Sequence, residues 1–127
     1  MRPKFRAWHK TWEELGKVKR IRFDDEGNIS TVFIQSETLG SNAYLKDIEL
    51  MQSTGLFDLN GVEIFEGDIV RFFDSLYTVF YDIKEGSYRL KSHDDRWVVD
   101  YMSNFSSEES FEIIGNIYEN KDILEAE

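Results

Sequence analysis

The sequence predicts a mainly β protein with little helix, in two parts that form one compact unit. Residues 1–49 make an N-terminal β-hairpin lobe with its linker, and residues 50–127 make a small antiparallel barrel or sandwich. Three observations predict it. Apolar and polar residues alternate along short stretches, the period of a half-buried strand. Turn residues recur at short, regular spacing after Met51, as in small all-β domains. The composition, 127 residues with 41% hydrophobic and 15% aromatic content, suffices for a globular core without covalent staples.

The elements follow in order. Phe5 to Trp8, just after Pro3, reads as a first strand with Phe5 and Ala7 on one face and Arg6 and Trp8 on the other. "KVKRIRF" places Val18, Ile21 and Phe23 among basic residues. "DDEGN" then supplies Gly27 and Asn28, which tolerate the positive φ of a tight turn, and "ISTVFIQ" returns with β-branched residues. Lys17 to Gln35 is therefore a hairpin. "SETLGSNA" reads as a loop and the seam between lobes, and "YLKDIELM" fits a helical turn or a strand equally. Beyond Met51, "DLNG" turns into Val62–Phe65 and "EGD" turns again. "IVRFF" and "LYTVFY" are strands joined across Asp74-Ser75, followed by "SYRL", "WVVDYM" and a closing "FEIIGNIY". Ser106-Ser107 is placed to cap one helical turn, and "NKDILEAE" reads as a frayed final turn.

Charge is unevenly distributed. The whole chain carries −10, yet Met1 to Phe23 holds eight basic residues against Glu13 and Glu14. The preferred reading is internal neutralisation of a basic segment by an acidic body, or by that of a second subunit. The sharper reading is a nucleic-acid patch built from Arg6, Trp8, Trp12, Arg20 and Arg22, which the acidic remainder disfavours by repelling phosphate. With no cysteine, disulfides, thiol nucleophiles and Cys-based zinc sites are excluded. No apolar run reaches membrane-span length, and the start has no apolar stretch of signal-peptide length. A cytoplasmic protein without membrane attachment is expected.

Several groups invite a chemical reading. Glu66, Gly67 and Asp68 form an acidic corner, and Asp58, Asn60, Glu63 and Glu66 lie close in sequence. Their spacing is not that of a calcium loop. The corner is better explained as backbone shaping, with Gly55, Asn60, Gly61, Glu66, Gly67 and Asp68 forming the turn motifs. Ser53 and Thr54 precede Gly55 without the Gly-x-Ser-x-Gly elbow of a hydrolase. His9 and His93 lie far apart in polar surroundings and read as solvated surface residues, not ligands. No glycine pattern for nucleotide binding occurs. Neither a catalytic residue, a metal site nor a cofactor is assigned. Phe65, Phe72, Phe73, Phe80, Phe105 and Phe111 are assigned to the core. Trp8, Trp12, Tyr44, Tyr77, Tyr81, Tyr88, Trp97 and Tyr101 read as half-buried packing or interface residues.

Three segments, "KFRAW" (Lys4 to Trp8), "LMQSTGLFDLNGVEIFEGDIV" (Leu50 to Val70) and "EIIGNIYEN" (Glu112 to Asn120), resemble the YopX family of small phage and prophage proteins, in order and over nearly the whole chain. Phe57 stands where members of that family often carry a polar or basic residue. The resemblance implies an SH3-like barrel in the C-terminal part and expression inside a bacterial host, and it carries over no catalytic residue. The expected function is that of a non-enzymatic accessory protein that binds a host or phage protein, with self-association favoured by its opposite charges. A nucleic-acid-binding module built on the basic N-terminal strands with Trp8 and Trp12 is the alternative.

Overall fold

The computed structural model describes residues 4–93, 100–101 and 111–125. It is mainly β, as the eleven strands, one 3-10 turn and one five-residue helix among these described residues show: β1 (Phe5–His9), β2 (Glu14–Phe23), β3 (Ile29–Gln35), β4 (Gly40–Tyr44), β5 (Ile48–Phe57), β6 (Glu63–Phe65), β7 (Asp68–Phe72), β8 (Ser75–Asp82), β9 (Ser87–Ser92), β10 (Asp100–Tyr101), β11 (Phe111–Asn116) and α1 (Lys121–Glu125). Two units divide the chain, Arg2–Gln52 and Ser53–Glu127, so that β5 contributes to both.

In the first unit the antiparallel strands run in the order β4-β3-β2-β1-β5. The β2–β3 hairpin turns on Asp24, whose Oδ1 accepts the backbone N–H groups of Glu26 and Asn28, both at 2.9 Å. Val18 and Ile21 are three apart, which strict alternation would send to opposite faces. The register shows why they share one: Val18 opposes Ile34 and Arg20 opposes Phe33, so Lys19 is an extra, bulged residue. Both side chains then pack on the core of Ala7, Val32, Ile34, Ala43 and Ile48. Gly16 allows β2 to lie close to β3 here. A Cβ on it would stand 2.6 Å from Ile34 Cγ1 and 2.9 Å from the Gln35 carbonyl oxygen.

The segment expected to be a loop and a seam is a strand. After a turn in which Ser36 Oγ accepts the N–H groups of Thr38 and Leu39, Gly40–Tyr44 pairs along its whole length with β3. Its small polar residues suit an exposed edge strand, where only Ala43 is buried. Leu45–Asp47 makes a single 3-10 turn and Ile48 starts β5, so both readings of "YLKDIELM" apply in succession.

In the second unit, the latter part of β5 pairs with β6, and a five-stranded antiparallel sheet runs β10-β9-β8-β7-β11. Its core is Ile64, Val70, Val79, Leu90 and Phe111. The expected SH3-like barrel is not closed among the described residues. The physical reason lies at β11, whose outer edge meets the β5–β6 loop: Leu59 N–H donates to Phe111 O at 2.9 Å, and Ile113 N–H donates to Asp58 Oδ2 at 3.0 Å. Those groups are not available to a further strand.

Phe73 departs from the expected core. It is 78% exposed and forms, with Asp74, the two-residue β7–β8 turn in which Phe72 opposes Ser75. Phe111 is buried and Phe72 packs against the core. Trp97, Phe105 and the Ser106-Ser107 cap lie outside the described residues.

Candidate functional site

The register of the N-terminal sheet decides which side chains share a face, because directly opposed residues in an antiparallel pair project to the same side. Arg20 opposes Phe33, and Phe33 opposes Asn42. One step along, Arg22 opposes Thr31, and Thr31 opposes Tyr44. Arg6 opposes Lys17, which opposes Gln35, adding a third row. This is the face opposite Val32, Ile34 and Ala43, and it carries three strands' worth of basic, aromatic and amide groups.

Two contacts organise it. The Arg20 guanidinium carbon lies 4.8 Å from the Phe33 ring centroid. Lys46 Nζ lies 5.9 Å from the ring centroid of Tyr44, which is 62% exposed. Each cation–π contact at such an exposed site contributes about 0.5–1 kcal/mol. Beside them opens a shallow groove of about 640 Å³, lined by Arg20, Ile21, Arg22, Phe23, Thr31, Phe33 and Asn42. Lys17, Lys19, Arg20 and Arg22 are exposed. Lys10 Nζ pairs with Glu49 Oε1 at 3.5 Å, whereas Lys17, Lys19, Arg20 and Arg22 of β2 make no ion pair among the described residues.

The five binding residues expected from sequence are therefore split. Arg20 and Arg22 stand together beside the groove. Arg6 shares their face but is half-buried, its Nε donating to Met51 Sδ at 3.4 Å. Trp8 is half-buried between Leu15 and Glu49 on neighbouring strands. Trp12 turns to the core side, packing on the hydrophobic cluster and stacking on His9 with centroids 4.0 Å apart and planes 8° from parallel. In its place Phe33, Tyr44, Asn42, Thr31 and Lys46 supply the face. Alternation alone could not reveal them, since their position depends on the Lys19 bulge and on β4.

His9 is also not the solvated residue expected. It is 8% exposed, and its Nδ1 accepts the Trp12 backbone N–H at 3.2 Å, leaving the proton on Nε2. His93 is half-buried, its Nε2 2.6 Å from Thr78 Oγ1. Each imidazole is engaged by its own neighbourhood.

The turn motifs lie in the second unit. Gly55, Gly61 and Gly67 take φ of 80°, 77° and 85°, a region that favours glycine. Asp68 is 1% exposed, and its Oδ2 accepts the Phe65 N–H at 2.8 Å across the Glu66-Gly67 turn. Asp58 does the same at larger scale. Its Oδ1 accepts the N–H of Asn60 and of Val62, both at 2.9 Å, and its Oδ2 accepts that of Ile113. Burial pushes the Asp58 carboxyl up, but the Ile113, Val62 and Asn60 N–H groups together hold it below the ordinary carboxylate value. Ser53 Oγ donates to Glu63 Oε2 and accepts the Gly55 N–H, while Thr54 Oγ1 donates to the Ile64 carbonyl at 2.8 Å. These oxygens fix backbone. Among the described residues no group of three or more His, Asp or Glu side chains gathers to hold a metal ion.

The β5–β6 tip that Asp58 fixes has a second property. Phe57, Leu59 and Val62 are 47%, 50% and 52% exposed, three large apolar side chains on one short turn.

Among the described residues no helix is long and apolar enough to cross a membrane. The family model for YopX protein matches residues 4–125. The crystal structure of protein EF1440 from Enterococcus faecalis is similar over 98% of this chain and 99% of that one, at 28% sequence identity and a TM-score of 0.69. Among curated proteins none matches.

Proposed function

The chain belongs to the YopX family, and from that premise we propose that it is a phage or prophage accessory protein, working in the bacterial cytoplasm without catalysis by binding a host or phage protein. The observation that supports this reading is the β5–β6 tip. Asp58 holds its backbone through three N–H groups, so Phe57, Leu59 and Val62 are displayed on a fixed turn. A rigid apolar display of this kind lowers the ordering cost of docking, and exposed apolar clusters with a polar rim mark protein contacts.

Charge supports a particular partner chemistry. The Arg2–Gln52 unit contains nine basic and eight acidic residues, whereas Ser53–Glu127 contains six basic and 17 acidic. An apolar pocket ringed by basic side chains complements an apolar tip on so acidic a unit. The non-enzymatic reading draws on the use of candidate groups as backbone acceptors: Asp58, Asp68, Ser53 and Thr54 are each committed to turn geometry.

The test is a comparative capture from bacterial host lysate, treated with nuclease, using the wild type and a Leu59→Asp, Val62→Asp variant. Both changes are at exposed positions, so the fold is retained and a thermal melt verifies it. The expected outcome is a protein retained by the wild type and lost by the variant. An identical set of retained proteins from both would remove the tip from the proposal. Light scattering of the pure protein at several salt concentrations shows whether the partner is a second copy.

A further inference from the structure

We infer that the open face of the N-terminal sheet is a docking surface for single-stranded nucleic acid, a site separate from the apolar tip. Three features of the face carry the inference, and each corresponds to a part of such a strand.

The first is charge. Arg20 and Arg22 stand on one strand two residues apart, with Lys17 on the same face and Lys46 beside Tyr44. Arg20, Arg22 and Lys17 make no ion pair among the described residues, so they reach a phosphate without first leaving a carboxylate. The second is the rings. Tyr44 is exposed, and the Arg20 guanidinium over the Phe33 ring offers a cationic surface. A base stacks on either kind of surface without regard to sequence. The third is hydrogen bonding. Asn42 and Thr31 project between those rings from the two adjacent strands, where amide and hydroxyl groups meet the edges of unpaired bases.

The same features choose a single strand over a duplex. Stacked base pairs hide the faces that Tyr44 and the Arg20 guanidinium over Phe33 would engage, while a single strand exposes them. An acidic polypeptide would satisfy Arg20 and Arg22 but leave the rings and the amide without a matching group. The overall charge of −10 limits the strength of binding. The acidic hairpin tip, Asp24 to Glu26, follows directly on β2 and confines phosphate to the central rows. Binding is therefore local and strongly salt-dependent. Four cations correspond to a log–log salt slope of about −3 for a single strand.

Fluorescence anisotropy of the full chain with labelled 15-residue oligo(dT) and oligo(U) at low salt tests this. Saturable binding to either strand is expected, with the two arms reporting which sugar is preferred, and an unlabelled duplex should compete poorly. Arg20→Glu combined with Arg22→Glu should weaken binding at least tenfold. Tyr44→Ala should weaken it about tenfold through lost stacking. Lys84→Glu combined with Lys91→Glu changes net charge equally in the other unit and should leave most of the affinity. Absence of binding by the wild type would overturn the inference. So would equal losses in the two charge-reversal variants, or competition by poly-glutamate as effective as that by unlabelled oligonucleotide. Thermal melts establish that each variant is folded. The apolar-tip variant should bind the oligonucleotides as the wild type does, so failure of one proposal is separable from failure of the other.

Discussion

Asp58 and Ile113 are 55 positions apart in sequence, and the carboxylate of the first accepts the backbone N–H of the second at 3.0 Å. With the N–H groups of Asn60 and Val62 on its other oxygen, Asp58 joins the β5–β6 turn to the edge of β11. One buried carboxylate thereby sets the geometry of the exposed apolar tip and caps the edge that a closed barrel would need.

Asp58→Asn should lower stability by about 1–3 kcal/mol at neutral pH, since an amide N–H₂ facing the Ile113 N–H cannot accept its bond. The folded carboxyl is depressed, so its contribution is complete above the unfolded value of about 3.9 and is lost as pH falls through the lower folded value. Urea unfolding at pH 7 and at pH 3 should show the gap between wild type and variant shrinking in acid. Equal stability at pH 7 would refute this role.

Tyr88 should titrate late. Burial, and then the nearby charges of Glu66 and Tyr81, push its hydroxyl up to about 12. The neutral phenol donates to the Ser53 carbonyl at 3.3 Å. A raised folded value means that this contribution is intact below the unfolded value of about 10 and is lost as pH rises toward 12. The difference between ultraviolet titrations of wild type and Tyr88→Phe should be centred near 12. A difference centred near 10 in the folded protein would contradict the burial.

Phe73→Gly should stabilise the protein by about 0.5–1 kcal/mol. Phe73 holds φ of 56° at the first position of a two-residue turn, where glycine removes the Cβ clash. Part of the gain is offset by losing the edge contact with Phe72, centroids 4.5 Å apart. A lower melting temperature in the variant would show that the ring contact outweighs the backbone strain.

Gly16→Ala should destabilise by about 1–3 kcal/mol, the usual cost of overfilling a packed site. Its added methyl meets not only Ile34 but the Gln35 backbone, which cannot swing aside. Chemical denaturation gives the change directly, and a neutral result would mean that β2 and β3 separate at small cost.

Much of the architecture was legible in the residues. The β2–β3 hairpin followed from alternation broken by Asp24–Asn28, and the turn character of Asp58-Leu59-Asn60-Gly61 from its residue types. β4 was not legible, because Gly40, Ser41 and Asn42 have weak strand preference and pair only because the exposed edge of β3 offers a full ladder of partners. Phe73 was misassigned to the core for a related reason: hydrophobicity pointed inward, but the turn between Phe72 and Ser75 placed it outside. Of the basic and aromatic face of the N-terminal sheet, Arg6, Arg20 and Arg22 were legible. Its remaining members come from other strands, and the register shift at Lys19 that brings them together is a property of the paired sheet.

By itself the sequence determined the β class, the hairpin turns, the absence of thiol chemistry and the family, because these depend on local residue preference, composition and order along the chain. The tertiary structure decided which rings and cations meet and which face stays open. It also decided how Asp58 reaches β11. Each of these depends on strand register, and register is set by contacts between residues far apart in the chain.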